Sequence, residues 1–183
     1  METFRKQNLN FLEILFTDFY IINPMYKEEW DRLVEAREFI ARMNPYRAVK
    51  SMKGIALEKF HAMEHRYPSK ADIIDKYGYD GKQTSHQIRV YDYLRRYIAG
   101  EDYESCLRPS DYLLEQIMNY KKLNVYSLEE ARGAAQAYIE RTVEIADAFC
   151  AEHEDREEPW VRDLLEDVSY NIMRISVEKE LKV

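Results

Sequence analysis

Ala131, Ala135, Tyr138, Ile139, Thr142, Ile145, Ala146 and Phe149 recur at steps of three and four, so that small and apolar side chains line one stripe of a helix. That period dominates most of the chain and constrains its fold more than any other feature. Trp30, Leu33, Val34, Ile40 and Met43 follow it, until Asn44-Pro45 closes one helix and opens the next. Val49, Met52, Ala56, Leu57, Phe60 and Met63 continue it in a helix that must stop before Pro68. With only five glycines and five prolines in 183 residues, little interrupts these runs. The expected fold is mainly α.

The remaining helices carry their own punctuation. After a short helical piece from Ser69 to Lys76, Asp80 is placed to cap a helix and Gln83 to reach back to it. The apolar face of that helix is Ile88, Tyr91, Leu94 and Ile98, and Gly100 terminates it. Pro109-Ser110 opens a further helix through Tyr120, and Ser127 with Glu130 forms a second capping box. A last helix runs from about Pro159 with Trp160, Leu164, Val168, Ile172 and Ile175. One segment departs from the pattern: "NFLEILFTDFYII", Asn10 to Ile22, is aromatic and β-branched, ends at Asn23-Pro24, and reads as a β-strand. The expectation is therefore an N-terminal strand within residues 1–24 and a helical domain of about six to seven helices over residues 25–183.

Charge and apolar runs exclude some functions. A net charge of -7 argues against extended nucleic-acid binding, which needs a basic surface to neutralise phosphates. Leu9 to Ile22 is the most apolar early run. It is interrupted by Glu13 and Asp18 and falls short of the ~20 residues that span a bilayer. No secretory leader pattern is present, so no membrane association and a cytoplasmic location are expected. Cys106 and Cys150 lack metal or redox spacing and are expected as thiols.

Lys82, His86 and Arg89 lie four and then three residues apart, on one face of the helix that Asp80 starts. Such residues commonly face water. Lys82, however, sits near the positive end of the helix dipole, where a cation has no stabilising role. A lysine point charge, an arginine fork and a histidine donor together suit the phosphates of a nucleotide.

"NFLEILFTDFYIINP", "REFIA", "MKGIALEKF", "KYGYDGKQTSHQIRVYDYLRRYIAGEDYESCL" and "YKKLNVYSLEEA" occur in that order over roughly residues 5–132. In order and spacing these blocks resemble the second half of predicted nucleotidyltransferases of the DNA polymerase β-like superfamily. The Lys82-x-x-x-His86-x-x-Arg89 block is the most specific of them. The resemblance implies a small mixed sheet whose three carboxylates hold two divalent metals, followed by a helical domain that contacts a nucleoside triphosphate. Two carboxylates would come from an Asp-x-Asp after a Gly-Ser turn. Glu13, on the expected strand, is the candidate for the third, as catalytic residue and Mg²⁺ ligand.

This sequence contains neither a Gly-Ser dipeptide nor an Asp-x-Asp. One glutamate cannot bridge two metals, so the chain is expected to be inactive alone. The resemblance then implies a split, truncated or degenerate member, with Mg²⁺ bound only if a complete site assembles. An unpaired strand edge seeks a partner, so a second chain or a homodimer would cover it. The competing expectation is a non-catalytic helical interaction module whose strand docks on another protein.

Two further patterns carry chemistry. "HAMEH", His61 to His65, matches the inverted zinc-protease motif, in which two histidines four apart on a helix share a metal; no spacing supplies a third ligand. Tyr77, Tyr79, Tyr91, Tyr93, Tyr97 and Tyr103 surround the basic helix. Most are expected in the core, with one or two free to stack on a base.

Overall fold

The computed structural model describes residues 1–181, and its fold is mainly helical. The helices are α1 (Glu2–Arg5), α2 (Leu9–Leu12), α3 (Lys27–Glu35), α4 (Arg37–Ala41), α5 (Pro45–Ala62), α6 (Ala71–Tyr77), α7 (Gly81–Ile98), α8 (Tyr103–Cys106), α9 (Asp111–Lys121), α10 (Leu128–Glu152) and α11 (Pro159–Glu180). The chain divides into two compact units, one of residues Met1–Ser51 with those from His153 onward, the other Met52–Glu152. The boundary expected at residue 24 thus falls inside the first unit.

The expected N-terminal strand does not form; no residue among those described is in a strand. Asn8 caps α2 by accepting the Asn10 N–H at 3.0 Å, and a 3₁₀ turn over Glu13–Phe16 follows. Leu9, Leu12 and Leu15 are buried at a spacing of three, so helical burial outweighs the β-propensity of the aromatic residues between them. Thr17 returns the backbone to the extended region. With no neighbouring strand to supply ladder hydrogen bonds, the segment after it stays irregular, and Phe19 and Ile21 are 93% and 104% exposed.

In the first unit, Leu33, Ile40, Met43, Val49, Val161, Leu165 and Val168 are buried, and α11 packs on α3. Charged residues tie α1 and the stretch just before α11 into it. Glu157 accepts from Arg5 at 3.0 Å and from Arg47 at 2.6 Å, and Asp155 meets Arg47 at 2.7 Å and the Asn44 amide at 2.8 Å. Burial alone would raise the Glu157 carboxyl, but the hydrogen bonds and charges of Arg5 and Arg47 outweigh it and hold it below the ordinary value.

In the second unit α7 packs against both α9 and α10. Ile88 joins Met63, Tyr79, Leu113, Ile117, Tyr120, Ala131 and Ala135 in the core. The alanines of α10 let α7 approach closely, and the Gln87 amide donates to the Ala135 carbonyl at 2.9 Å. Both expected caps form. Asp80 accepts the Lys82 N–H at 3.0 Å, while Ser127 and Glu130 exchange backbone bonds at 2.8 and 3.3 Å. Gly100, at φ +84°, turns the chain out of α7 as expected. Neither cysteine forms a disulfide among the described residues. No helix among them is long and apolar enough to cross a membrane.

Candidate functional site

Three chain segments converge where α7 begins. The Asp80 N–H donates to the Met63 carbonyl at 2.8 Å, tying the start of α7 to the chain just beyond α5. Asp80 Oδ2 also accepts from the Gln83 side chain at 3.1 Å. Gly81 lies against the end of α9, so closely that a Cβ there would stand 2.0 Å from the Tyr120 carbonyl oxygen. Glycine alone permits that approach.

Each segment brings a lysine: Lys59 in the last turn of α5, Lys82 in the first turn of α7, and Lys121 in the last turn of α9. One and two turns further along α7 come His86 and Arg89, both half-buried, while Lys82 is exposed. One Arg89 N–H points to the Leu107 carbonyl at 3.4 Å. Among the described residues, Lys82, Arg89 and Lys121 have no carboxylate partner, and Lys59 meets only its exposed neighbour Glu58, at 2.8 Å. Elsewhere in this unit Arg66 is paired with Asp75 and Arg132 with Glu64. Here cations from three elements gather around one imidazole.

Burial first, and then the charges of Arg89, Lys82, Lys59 and Lys121, push the His86 imidazole down to about 4. It is neutral at pH 7, with one ring N–H to donate and one ring nitrogen to accept a proton. The cluster can bind a multiply charged anion by charge and hydrogen bonding. Its nearby carboxylates are already engaged, Glu58 by Lys59 and Asp80 by the Lys82 N–H and Gln83.

No family model, curated protein or solved structure matches this chain. The nucleotidyltransferase resemblance accordingly rests on the sequence blocks alone.

The other candidates are placed differently. Glu13 is exposed on the 3₁₀ turn and belongs to the first unit, whereas Lys82, His86 and Arg89 belong to the second. Among the described residues no three His, Cys, Asp or Glu side chains are grouped to hold a metal ion, Glu13 included. The zinc-type motif is not on one helix. α5 ends at Ala62, so only His61 is helical, and His65 turns its ring toward Tyr67, 4.2 Å between centroids. Glu64 is engaged by Arg132 at 2.5 Å.

Of the tyrosines, Tyr79, Tyr93, Tyr97 and Tyr103 are buried, and Tyr79 donates to the Tyr126 carbonyl at 2.9 Å. Tyr77 and Tyr91 are half-buried, the latter edge-on to Tyr138 at 5.3 Å.

The basic triad was legible as an i, i+4, i+7 pattern; Lys59 and Lys121 were not. They lie 23 residues before and 39 after Lys82. Only the packing of α5, α7 and α9 unites them.

Proposed function

We propose that the second unit binds the phosphates of a nucleotide, or of another linear polyphosphate, through Lys82, His86 and Arg89, with Lys59 and Lys121 completing the set. The convergence of these groups from three helices, with Lys82, Arg89 and Lys121 left without carboxylate partners among the described residues, carries the reading. In a chain of net charge -7 such a concentration of positive charge has a specific use. Lys82 to Arg89 spans about 10 Å of helix, at ~1.5 Å per residue, which suits an extended anion better than a single phosphate.

As a nucleotidyltransferase relative, the chain would present these groups to a nucleoside triphosphate. Mg²⁺ would then need carboxylates from a second chain beside Glu13, because two metals require bridging ligands. A second reading, a non-catalytic interaction module, is favoured by one observation: Phe19 and Ile21 project almost fully into solvent.

Thermal unfolding with ATP and Mg²⁺, or with inorganic tripolyphosphate, separates the two. At a hundredfold excess over Kd, binding adds about 2.7 kcal/mol to stability and raises Tm by several degrees. The rise should vanish in Lys82→Ala/Arg89→Ala. No shift with ATP, GTP or tripolyphosphate would exclude phosphate binding and leave the interaction reading.

A further inference from the structure

We propose that this cluster takes up its polyanion together with a proton, and that His86 is the group that receives it. The inference rests on the phosphate-binding reading above and names how that site is regulated.

His86 is half-buried among cations from three of the helices packed there: Lys59 from α5, Lys82 and Arg89 from α7, and Lys121 from α9, while α10, which meets α7 at Gln87, adds no charge to the set. The nearby acids are already engaged. Glu58 lies on Lys59, and Asp80 accepts from the Lys82 N–H and from Gln83, with the Lys70 ammonium 3.7 Å away. Among the described residues no carboxylate is hydrogen-bonded to the His86 ring. In the free protein a proton on the imidazole would add a fifth positive charge to four, in a place with reduced access to water. Burial and these charges leave the ring neutral at pH 7.

A bound polyphosphate reverses the balance. Its negative charges compensate the four cations, and its oxygens accept hydrogen bonds from both ring N–H groups of an imidazolium, where a neutral ring offers one. The equilibrium is neutral His86 plus polyphosphate plus one proton from solvent, going to a complex that holds an imidazolium. Nothing else is consumed. Linkage makes the effect reciprocal: if the ligand raises the imidazole pKa by two units, acidification through that window tightens binding up to about a hundredfold.

Imidazole ¹H–¹⁵N correlation spectra test this directly, because the chain has only four histidines and His86 is assigned by its loss in His86→Gln. In free protein the His86 ring should remain neutral down to pH 5. With saturating inorganic tripolyphosphate its midpoint should lie above pH 6. Saturable binding with a midpoint displaced by less than about half a unit would overturn the inference while leaving phosphate binding intact. An absence of saturable binding would remove both.

Two variants sharpen the outcome. Lys82→Met should raise the His86 midpoint without any ligand; an unchanged midpoint would refute the role given to the cations. Affinity for tripolyphosphate should rise about tenfold more from pH 8 to pH 5 in the wild type than in His86→Gln. Equal rises would refute the proton uptake, since the ligand's own titration is common to both proteins.

Discussion

The two ends of α7 are both rich in cations, yet they use them in opposite ways. At its C-terminal end every arginine has a carboxylate near it: Arg96 meets Glu101 at 2.7 Å, and Arg95 and Arg96 lie 3.6 and 3.9 Å from Asp92. Asp92 is itself 1% exposed and accepts from the Ser110 backbone at 2.8 Å and its hydroxyl at 2.7 Å, which fastens the start of α9. Arg96 adds a bond to the Arg108 carbonyl at 2.7 Å. At the N-terminal end Lys82 and Arg89 have no carboxylate partner among the described residues, and their cationic neighbours from other helices are lysines. One end spends its charges on holding α7, α8 and α9 together. The other keeps them available, which is how a binding site differs from a structural ion network.

The largest effect should come from the backbone contact that builds the free end. Gly81→Ala places a methyl carbon 2.0 Å from a carbonyl oxygen, so α7 and α9 must separate. A loss of about 3 kcal/mol is expected, read as a lower urea midpoint at unchanged m-value. A smaller effect is expected at the paired end, where Asp92→Ala strips the acceptor from two Ser110 donors and the counter-charge from Arg95 and Arg96. Its cost should be about 2–3 kcal/mol. Lys82→Ala, by contrast, should stay within about 0.5 kcal/mol of wild type, because an exposed cation at a helix start contributes nothing favourable. If Lys82→Ala destabilised as much as Asp92→Ala, the contrast between the two ends would collapse.

A further effect concerns pH. The His86 pKa falls from 6.5 in the unfolded chain to about 4 in the fold, so the unfolded state binds the proton first. The corresponding stability is fully present above pH 6.5 and is lost as pH falls toward 4. Allowing for solvent screening of a half-buried group, this amounts to about 1–2 kcal/mol. Tm of the wild type should therefore drop further between pH 6.5 and pH 4.5 than that of His86→Gln. Parallel curves would show that burial and the surrounding cations do not hold the His86 ring neutral.

Most helical periods, caps and breakers were readable residue by residue, because each depends on neighbours within one turn; the one helix expected up to Asn44-Pro45 is instead broken at Ala36 into α3 and α4. Asp80, Gly100 and the Ser127–Glu130 pair behave as their local chemistry dictates. The segment from Asn10 to Ile22 was misleading for the complementary reason. A strand is defined by a distant partner, and composition cannot say whether one exists. Leu9, Leu12 and Leu15 could be buried by a helical turn without any partner, and that local solution prevailed.

The candidate site divides along the same line. The sequence by itself determined a mainly α chain, the start of α7 at Asp80, and the shared face of Lys82, His86 and Arg89, since all three follow from the 3.6-residue period. Only the tertiary structure decided that Lys59 and Lys121 join them, that among the described residues no carboxylate pairs with Lys82, Arg89 or Lys121, and that His86 is half-buried and neutral. Those properties depend on how closely α5, α7 and α9 approach and on which charges meet across them. Helix spacing carries no record of either.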